Sequence, residues 1–444
     1  MEQATAEIPH ATRLESLTFS LLYSLPEFAR GPVIRRPLTM RQLARLDTQA
    51  AAQRFCMRLR VRYGGRSLYV KGPRGKVLLL LSQGDVERVL TGSDSVFSLR
   101  TEDKWRAFSP VQPDSLLLSR GKSREDQRRF TDAVLQPGRA PHDLARRIDQ
   151  VMAEELDGIF GHRPAVVSWK RLRDGYYRAV LRLVLGDAAR DDVQILSALN
   201  ALRREGNWVG LRPWREKRVR SLRQAMMARI EPHVAAAADG SLAGLFAAAP
   251  QSPLTRPAVQ VPHWLMALEG IGTTVLGTTL ALLAGHPEHY ERARAEASAT
   301  GGDREHLRAC LYESLRLWPL VPTLQRVVTT PTGWHGATLA AGTDITIPVA
   351  VHSRNPQIDY ADAFTPQAWL DGRASADWWI VPFSAGPGRC PGADLGGQVG
   401  AAVLATLLRQ YDFHPAGPEL GAGGPLPQTL DPFSLRLSVR PGRR

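Results

Sequence analysis

The stretch PFSAGPGRCPG, residues 382–392, places Cys390 in a loop punctuated by glycine and proline, directly before an apolar run that reads as a buried helix. Phe383, Gly386, Cys390 and Gly392 together give the spacing F-x-x-G-x-x-x-C-x-G. A thiolate here suits a metal: glycines let the backbone approach a flat cofactor, and N–H groups at a helix start stabilise a negative sulfur. The same letters also suit a small buried cysteine in a turn. The loop alone does not decide between the two.

Its company narrows the choice. In YESLRLWP, Glu313 and Arg316 stand i, i+3 on one helix face and can pair. By itself such a pair is a common surface feature of little consequence. Here it is joined to SRNP at 353–356 and to a long apolar helix that ends in HPE at 286–288. With all four elements in one chain, the sequence resembles the cytochrome P450 family of haem-thiolate monooxygenases over roughly its whole length.

The resemblance implies haem b between the long central helix and the cysteine loop, with Cys390 as its axial ligand and Phe383, Gly386, Arg389 and Gly392 around it. It implies that Glu313 and Arg316 form a buried pair behind the cofactor. Arg326, in VPTLQRVV, falls where the family often places an arginine on a haem propionate. In GKSREDQRRF, Arg128 matches a second such arginine, and Arg124 stands where an aromatic residue or histidine is usual. Two arginines there can grip a carboxylate bidentately. By position, EDKWRAFSPVQPDSLLL is the variable loop over the haem, with Trp105 and Phe108 as pocket walls opposite Gly270, or as core packing. NWVGLRPW is expected near the access channel.

Three departures from the family pattern bear on mechanism. The cation usual two residues before the cysteine is replaced by Gly388, with Arg389 beside the sulfur instead. The third core arginine is expected within FTPQAW, where the position holds Ala368. Either Arg373 substitutes for it, or the backbone completes the pair. The central helix lacks the acid of the family's acid–alcohol motif. Matched by letters, EGIGTT puts Gly272 at the acid and Thr273 at the alcohol, followed by Thr274. Counted back from HPE, the two positions are Gly270 and Ile271. Glu269, i, i+4 from Thr273 on a regular helix, is either a displaced proton relay or a salt-bridge partner.

The elements that must position these residues are mostly helical. Three-and-four spacing of apolar residues marks helices over much of 122–235, and an amphipathic stretch covers 38–63. SLYVKGPRGKVLLLLS reads as two strands about a Gly/Pro turn. GWHGATLAAGTDITIPVAVHS reads as a hairpin. The expected fold class is mainly α with small sheets (α+β), as one domain over 1–444, with the segment 1–37 peripheral to it.

Composition sets the remaining bounds. The formal net charge is +14 over 444 residues, yet the arginines are scattered rather than gathered into a stripe interleaved with aromatics, which argues against nucleic acid. The lysines are Lys71, Lys76, Lys104, Lys122, Lys170 and Lys217; every other side-chain cation is arginine or histidine, as in GC-rich coding. Cys56, Cys310 and Cys390 form no disulfide framework, which points to a reducing cytoplasm. The apolar run from Leu17 to Leu25 is stopped by Pro26, short of the ~20 residues that span a bilayer. A soluble monomer that takes electrons from a ferredoxin and its reductase, and uses O2 to oxidise a small secondary-metabolite substrate, is the leading expectation. The missing acid motivates a peroxide-driven, oxidative coupling or nitration reaction as an alternative. A non-catalytic recruitment domain of the same fold is a third.

Overall fold

The computed structural model describes residues 7–72, 75–299, 303–418 and 420–442; the side chains of Thr273 and Thr274 lie outside the described residues. The chain opens with α1 (Arg13–Phe19), whose Thr12 and Glu15 form a capping box, then a π turn (Ser20–Ser24) and α2 (Leu25–Ala29). Phe19 and Tyr23 are buried in a cluster with Phe55 and Leu59, while Leu14, Leu17, Leu21 and Leu25 face outward.

The expected helix over 38–63 is two helices, α3 (Pro37–Arg45) and α4 (Thr48–Arg62). Asp47, at φ +40°, turns the chain between them, and its carboxylate accepts the N–H of Thr429. Periodicity alone does not register such a break, because a distant backbone group stabilises it.

β1 (Leu68–Gly72) and β2 (Gly75–Leu79) pair antiparallel with Leu68 opposite Leu79. The apolar run Leu78–Leu81 is fully buried, as a strand covered on both faces requires. α5 (Gln83–Thr91), β3 (Phe97–Ser98), α6 (Glu102–Phe108), α7 (Gly121–Leu135), α8 (Ala145–Leu156), β4 (Ala165–Val166), α9 (Trp169–Leu185), α10 (Val193–Gly206) and α11 (Glu216–Ala236) follow. Further on come α12 (Val261–Gly270), a π turn (Ile271–Val275), α13 (Leu276–Gly285), α14 (Pro287–Ser298), α15 (Glu305–Leu317), β5 (Leu324–Val328), β6 (Thr332–Trp334), β7 (Ala337–Leu339) and β8 (Asp344–Ile347). β8 runs parallel to β2 and antiparallel to β5, giving the sheet order β1-β2-β8-β5-β3. The hairpin reading of 333–353 therefore holds only for β6 and β7. DITI joins the larger sheet, and VAVH forms the short helix α16 (Val349–His352). Alternation marks a strand but not its partner, which here lies far off in the chain.

α17 (Gln367–Leu370) and α18 (Arg373–Ala376) lead to the cysteine loop. α19 (Ala393–Gln410), β9 (Tyr411–Pro415) and β10 (Leu437–Pro441) close the chain. Among the described residues no helix is long and apolar enough to cross a membrane.

α12, the π turn and α13 form the central helix, packed among α9, α10, α15 and α19. It is apolar nearly all round because it has protein on nearly every side. The π turn has an identifiable clamp. Tyr176 of α9 donates its hydroxyl to the Leu268 carbonyl (2.7 Å), and its ring covers Gly272 so closely that a Cβ there would collide with it. On another side, Ile271 fits against Gly396 of α19. Gly270 has room: a Cβ there would meet Leu320 at 3.6 Å, ordinary contact.

Gly272→Ala is therefore expected to destabilise the protein by about 2 kcal/mol through overpacking against Tyr176. Gly270→Ala is expected to be neutral or stabilising, since alanine is the better helix former. Urea unfolding of both variants checks this; equal effects would reject the clamp.

Candidate active site

The cysteine loop is set by its own backbone. The Cys390 N–H donates to the Phe383 carbonyl at 2.8 Å, and Arg389 N–H to the Gly386 carbonyl at 3.0 Å. Gly386 takes φ +56°, and a Cβ there would collide with the Leu90 carbonyl of α5. α19 starts at Ala393, so Cys390 sits just ahead of a long helix and its positive end.

The three cysteines differ sharply. Cys56 and Cys310 are fully buried; burial pushes the Cys56 thiol up to about 12 and the Cys310 thiol well above its usual value. Cys390, by contrast, is exposed. Burial raises this thiol too, and the Gly392 N–H and the charges of Arg128 and Arg389 offset only part of that rise.

Arginines belt the loop. Arg124 donates to the carbonyls of Pro387 (3.1 Å) and Leu116 (2.9 Å) and pairs with Asp94 at 3.1 Å. Arg128 donates to the Arg389 carbonyl at 2.8 Å and to Asp132 at 2.7 Å. Both guanidiniums thus spend donors on loop backbone, a use that residue spacing did not suggest. Arg326 is buried and donates to Ser384 Oγ at 2.9 Å. A side chain at 388 would collide with its guanidinium, so Gly388 makes room for Arg326. Arg389 points outward, 3.7 Å from Asp394. Phe383 stands edge-on to Tyr312, with 5.2 Å between ring centroids.

Glu313 and Arg316 have no contact with water. The guanidinium donates to both carboxylate oxygens at 2.7 and 2.8 Å, and to the carbonyls of Ser353, Tyr360, Ala361 and Ala363. Glu313 also accepts from Thr365 N–H and from the Trp369 indole, each at 2.9 Å. Arg373 instead pairs at the surface with Asp371 and Asp359. Of the two alternatives for the missing third arginine, backbone completes the pair, with an indole that the letters FTPQAW contained but did not single out.

On the central helix, the Glu269 carboxylate is held by Arg203 of α10 and the Tyr177 hydroxyl of α9. The salt-bridge alternative thus describes Glu269, and the π turn replaces the regular i, i+4 relation to Thr273 on which the relay alternative was built. Thr273 and Thr274 lie within that turn, their side chains outside the described residues. Trp105 lies under the Arg100 guanidinium, 4.2 Å away, and Phe108 packs on the main core. Sequence reasoning missed Tyr177 and Arg203, whose partner lies far off in the chain.

A profile described as Cytochrome P450 matches residues 217–420, which include the central helix, Glu313, Arg316 and the cysteine loop. These residues belong to the cytochrome P450 family. It is 36% identical over 186 residues to Cytochrome P450 monooxygenase AKT7 of Alternaria alternata, covering 36% of each chain. It is 32% identical over 185 residues to Putative cytochrome P450 137 of Mycobacterium tuberculosis, covering 40% of this chain and 37% of that one. Against Cytochrome P450 4c3 of Drosophila melanogaster the figures are 34% over 161 residues, 32% and 30%. The matches span about a third of the length of these curated relatives.

The fold is that of a P450, and the P450 cofactor is haem with an axial cysteine thiolate. The residues around the cysteine loop suit it: a sulfur beside a helix start, cations for carboxylates at Arg124 and Arg326, and a glycine face at Gly392, where a Cβ would meet only Leu135, at 3.6 Å.

Trp369→Phe removes a donor from a buried carboxylate and is expected to cost about 1–3 kcal/mol, whereas Arg373→Ala is expected to leave stability unchanged. Glu313→Gln, which breaks the pair, should cost about 3–5 kcal/mol. Urea titration ranks the three; an Arg373 effect equal to that of Trp369 would overturn the assignment of the third partner.

Proposed function

We propose that this P450 is an O2-dependent monooxygenase in which Cys390 holds the haem iron and electrons come from a ferredoxin and its reductase. The observation that supports the assignment is a contrast in exposure: Cys56 and Cys310 are buried, whereas Cys390 is exposed, with the Gly392 N–H and the guanidiniums of Arg128 and Arg389 opposing the rise that burial imposes on its thiol. When bound, haem with a thiolate ligand supplies activation of dioxygen or peroxide and oxidation of a C–H bond. The chain's part is to hold and to exclude. Arg124 and Arg128 anchor the loop carbonyls so that the sulfur keeps its position. The apolar central helix keeps water from the reacting side, where Gly270, Trp105 and Phe108 border the space for a small organic substrate. A cytoplasmic monomer acting in secondary metabolism fits this reading.

Glu269 favours a second reading. Its carboxylate is engaged by Arg203 and Tyr177, so proton delivery falls to Thr273, Thr274, water or the substrate itself. Peroxide-driven oxidation, or oxidative coupling, needs less from a protein acid and is the alternative.

Cys390→Ser is expected to abolish the red-shifted Soret band of the reduced carbonyl complex that marks a thiolate ligand; a wild type without that band rejects the ligand assignment. Glu269→Gln is expected to lower stability by about 3 kcal/mol while ferredoxin-supported turnover of the folded enzyme stays within a few-fold. A loss of turnover of about 100-fold at unchanged stability would instead make Glu269 the proton relay. Turnover with peroxide and none with ferredoxin selects the alternative.

A further inference from the structure

The central helix carries one polar pair that has no part in the site so far. Seven residues of α12 are buried, and His263, Ala267 and Gly270 are not. Their spacing, i, i+4 and i+7, puts them on one stripe of the helix, the side that lacks close protein cover. Gly270, at one end, borders the space assigned above to a substrate. The next residue, Ile271, fits against Gly396 of α19, a few residues past Cys390. His263 stands at the other end, about 10 Å away along the axis at 1.5 Å per residue. There Gln112, in the segment expected over the haem, donates its amide to His263 Nδ1 at 2.9 Å.

We infer that His263, oriented by Gln112, is a specificity-determining residue whose Nε2–H donates to a carbonyl oxygen of an uncharged, mainly apolar substrate lying along this stripe. The inference rests on the monooxygenase reading for what happens at the Gly270 end. A neutral imidazole has one N–H proton. With Nδ1 accepting from Gln112, that proton is on Nε2, and among the described residues no group accepts it. Burial keeps the ring neutral, pushing it down to about 4. The one formal charge on α12, Glu269, is engaged by Arg203 and Tyr177, so the stripe suits a substrate without charge. A loop tie alone does not account for the pair. Gln260, just before α12, already holds the loop: it accepts the Leu116 N–H at 3.0 Å and donates to Gln127 Oε1 at 2.8 Å. Gln112 is buried, yet its Oε1 has no hydrogen-bond partner among the described residues, so its amide serves His263 and leaves one acceptor unpaired. A carbonyl oxygen satisfies the Nε2–H, whereas a methylene of the same shape leaves it unpaired.

Wild-type, H263F and Q112M holoproteins are dialysed to equilibrium against cyclooctanone, adamantanone and cyclododecanone, each paired with the analogue that carries a methylene in place of the oxygen. Wild type is expected to bind at least one ketone about tenfold more tightly than its analogue. H263F is expected to bind both members of that pair equally, at the level of the wild-type analogue. Q112M, which keeps the donor but not its orienting partner, is expected to fall between. The inference is overturned if wild type prefers none of the ketones, if H263F keeps the preference, or if H263F weakens ketone and analogue alike, as loss of a loop tie would. Q112M decides if H263F fails to fold: an unchanged preference in it overturns the inference. A wild type without the thiolate spectrum rejects the haem-thiolate reading by itself, and the dialysis still decides on His263.

Discussion

Two opposite charges with no access to water, Glu313 and Arg316, dictate much of what surrounds them. Burying each ion costs several kcal/mol unless its oxygens and protons are all engaged. The guanidinium draws in the carbonyls of Ser353, Tyr360, Ala361 and Ala363, and the carboxylate draws in Thr365 N–H and the Trp369 indole. The irregular chain from 353 to 369 is thereby wrapped on α15, though it has little secondary structure of its own. Arg354 extends the same scheme outward, donating to Asp362 and to the Leu426 carbonyl. From Trp369 the contacts run through Tyr312 to Phe383, at 5.5 and 5.2 Å between ring centroids. The cysteine loop thus hangs from a frame fixed by the buried pair.

The loop's other side depends on cations that serve structure and chemistry together. Arg124 and Arg128 spend donors on loop carbonyls, and Arg326 occupies the space left by Gly388. The Arg128 charge also bears on the sulfur, so the positions of loop and ligand are coupled through the same side chain. The π turn interrupts the central helix where Tyr176 and Ile271 clamp it. A Cβ has room at 270 and none at 272, so of the two registers only the one counted back from HPE puts the acid position where a side chain could start. The acid actually present, Glu269, is directed to α9 and α10 by Tyr177 and Arg203.

Much of this was legible in the letters. Apolar spacing located most helices, turn chemistry found the β1–β2 hairpin, and the loop spacing together with Glu313 and Arg316 led to the family. What escaped depended on partners distant in sequence. The break at Asp47 is stabilised by Thr429, and β8 pairs with β2 and β5 rather than with its neighbour. The third partner of Glu313 was sought among arginines, whereas a backbone N–H and an indole fill the place.

By itself, then, the sequence determined the class of fold, the family and the cysteine loop, because these rest on local periodicity and on short spacings that any single segment carries. Only the tertiary structure decided which charges meet. Arg203 with Glu269, Arg326 with Gly388, and Arg124 with Asp94 come together through packing of α7, α10, the central helix and the sheet. The reason is physical: desolvation and Coulomb interaction depend on distance in space, and no spacing along the chain encodes that distance.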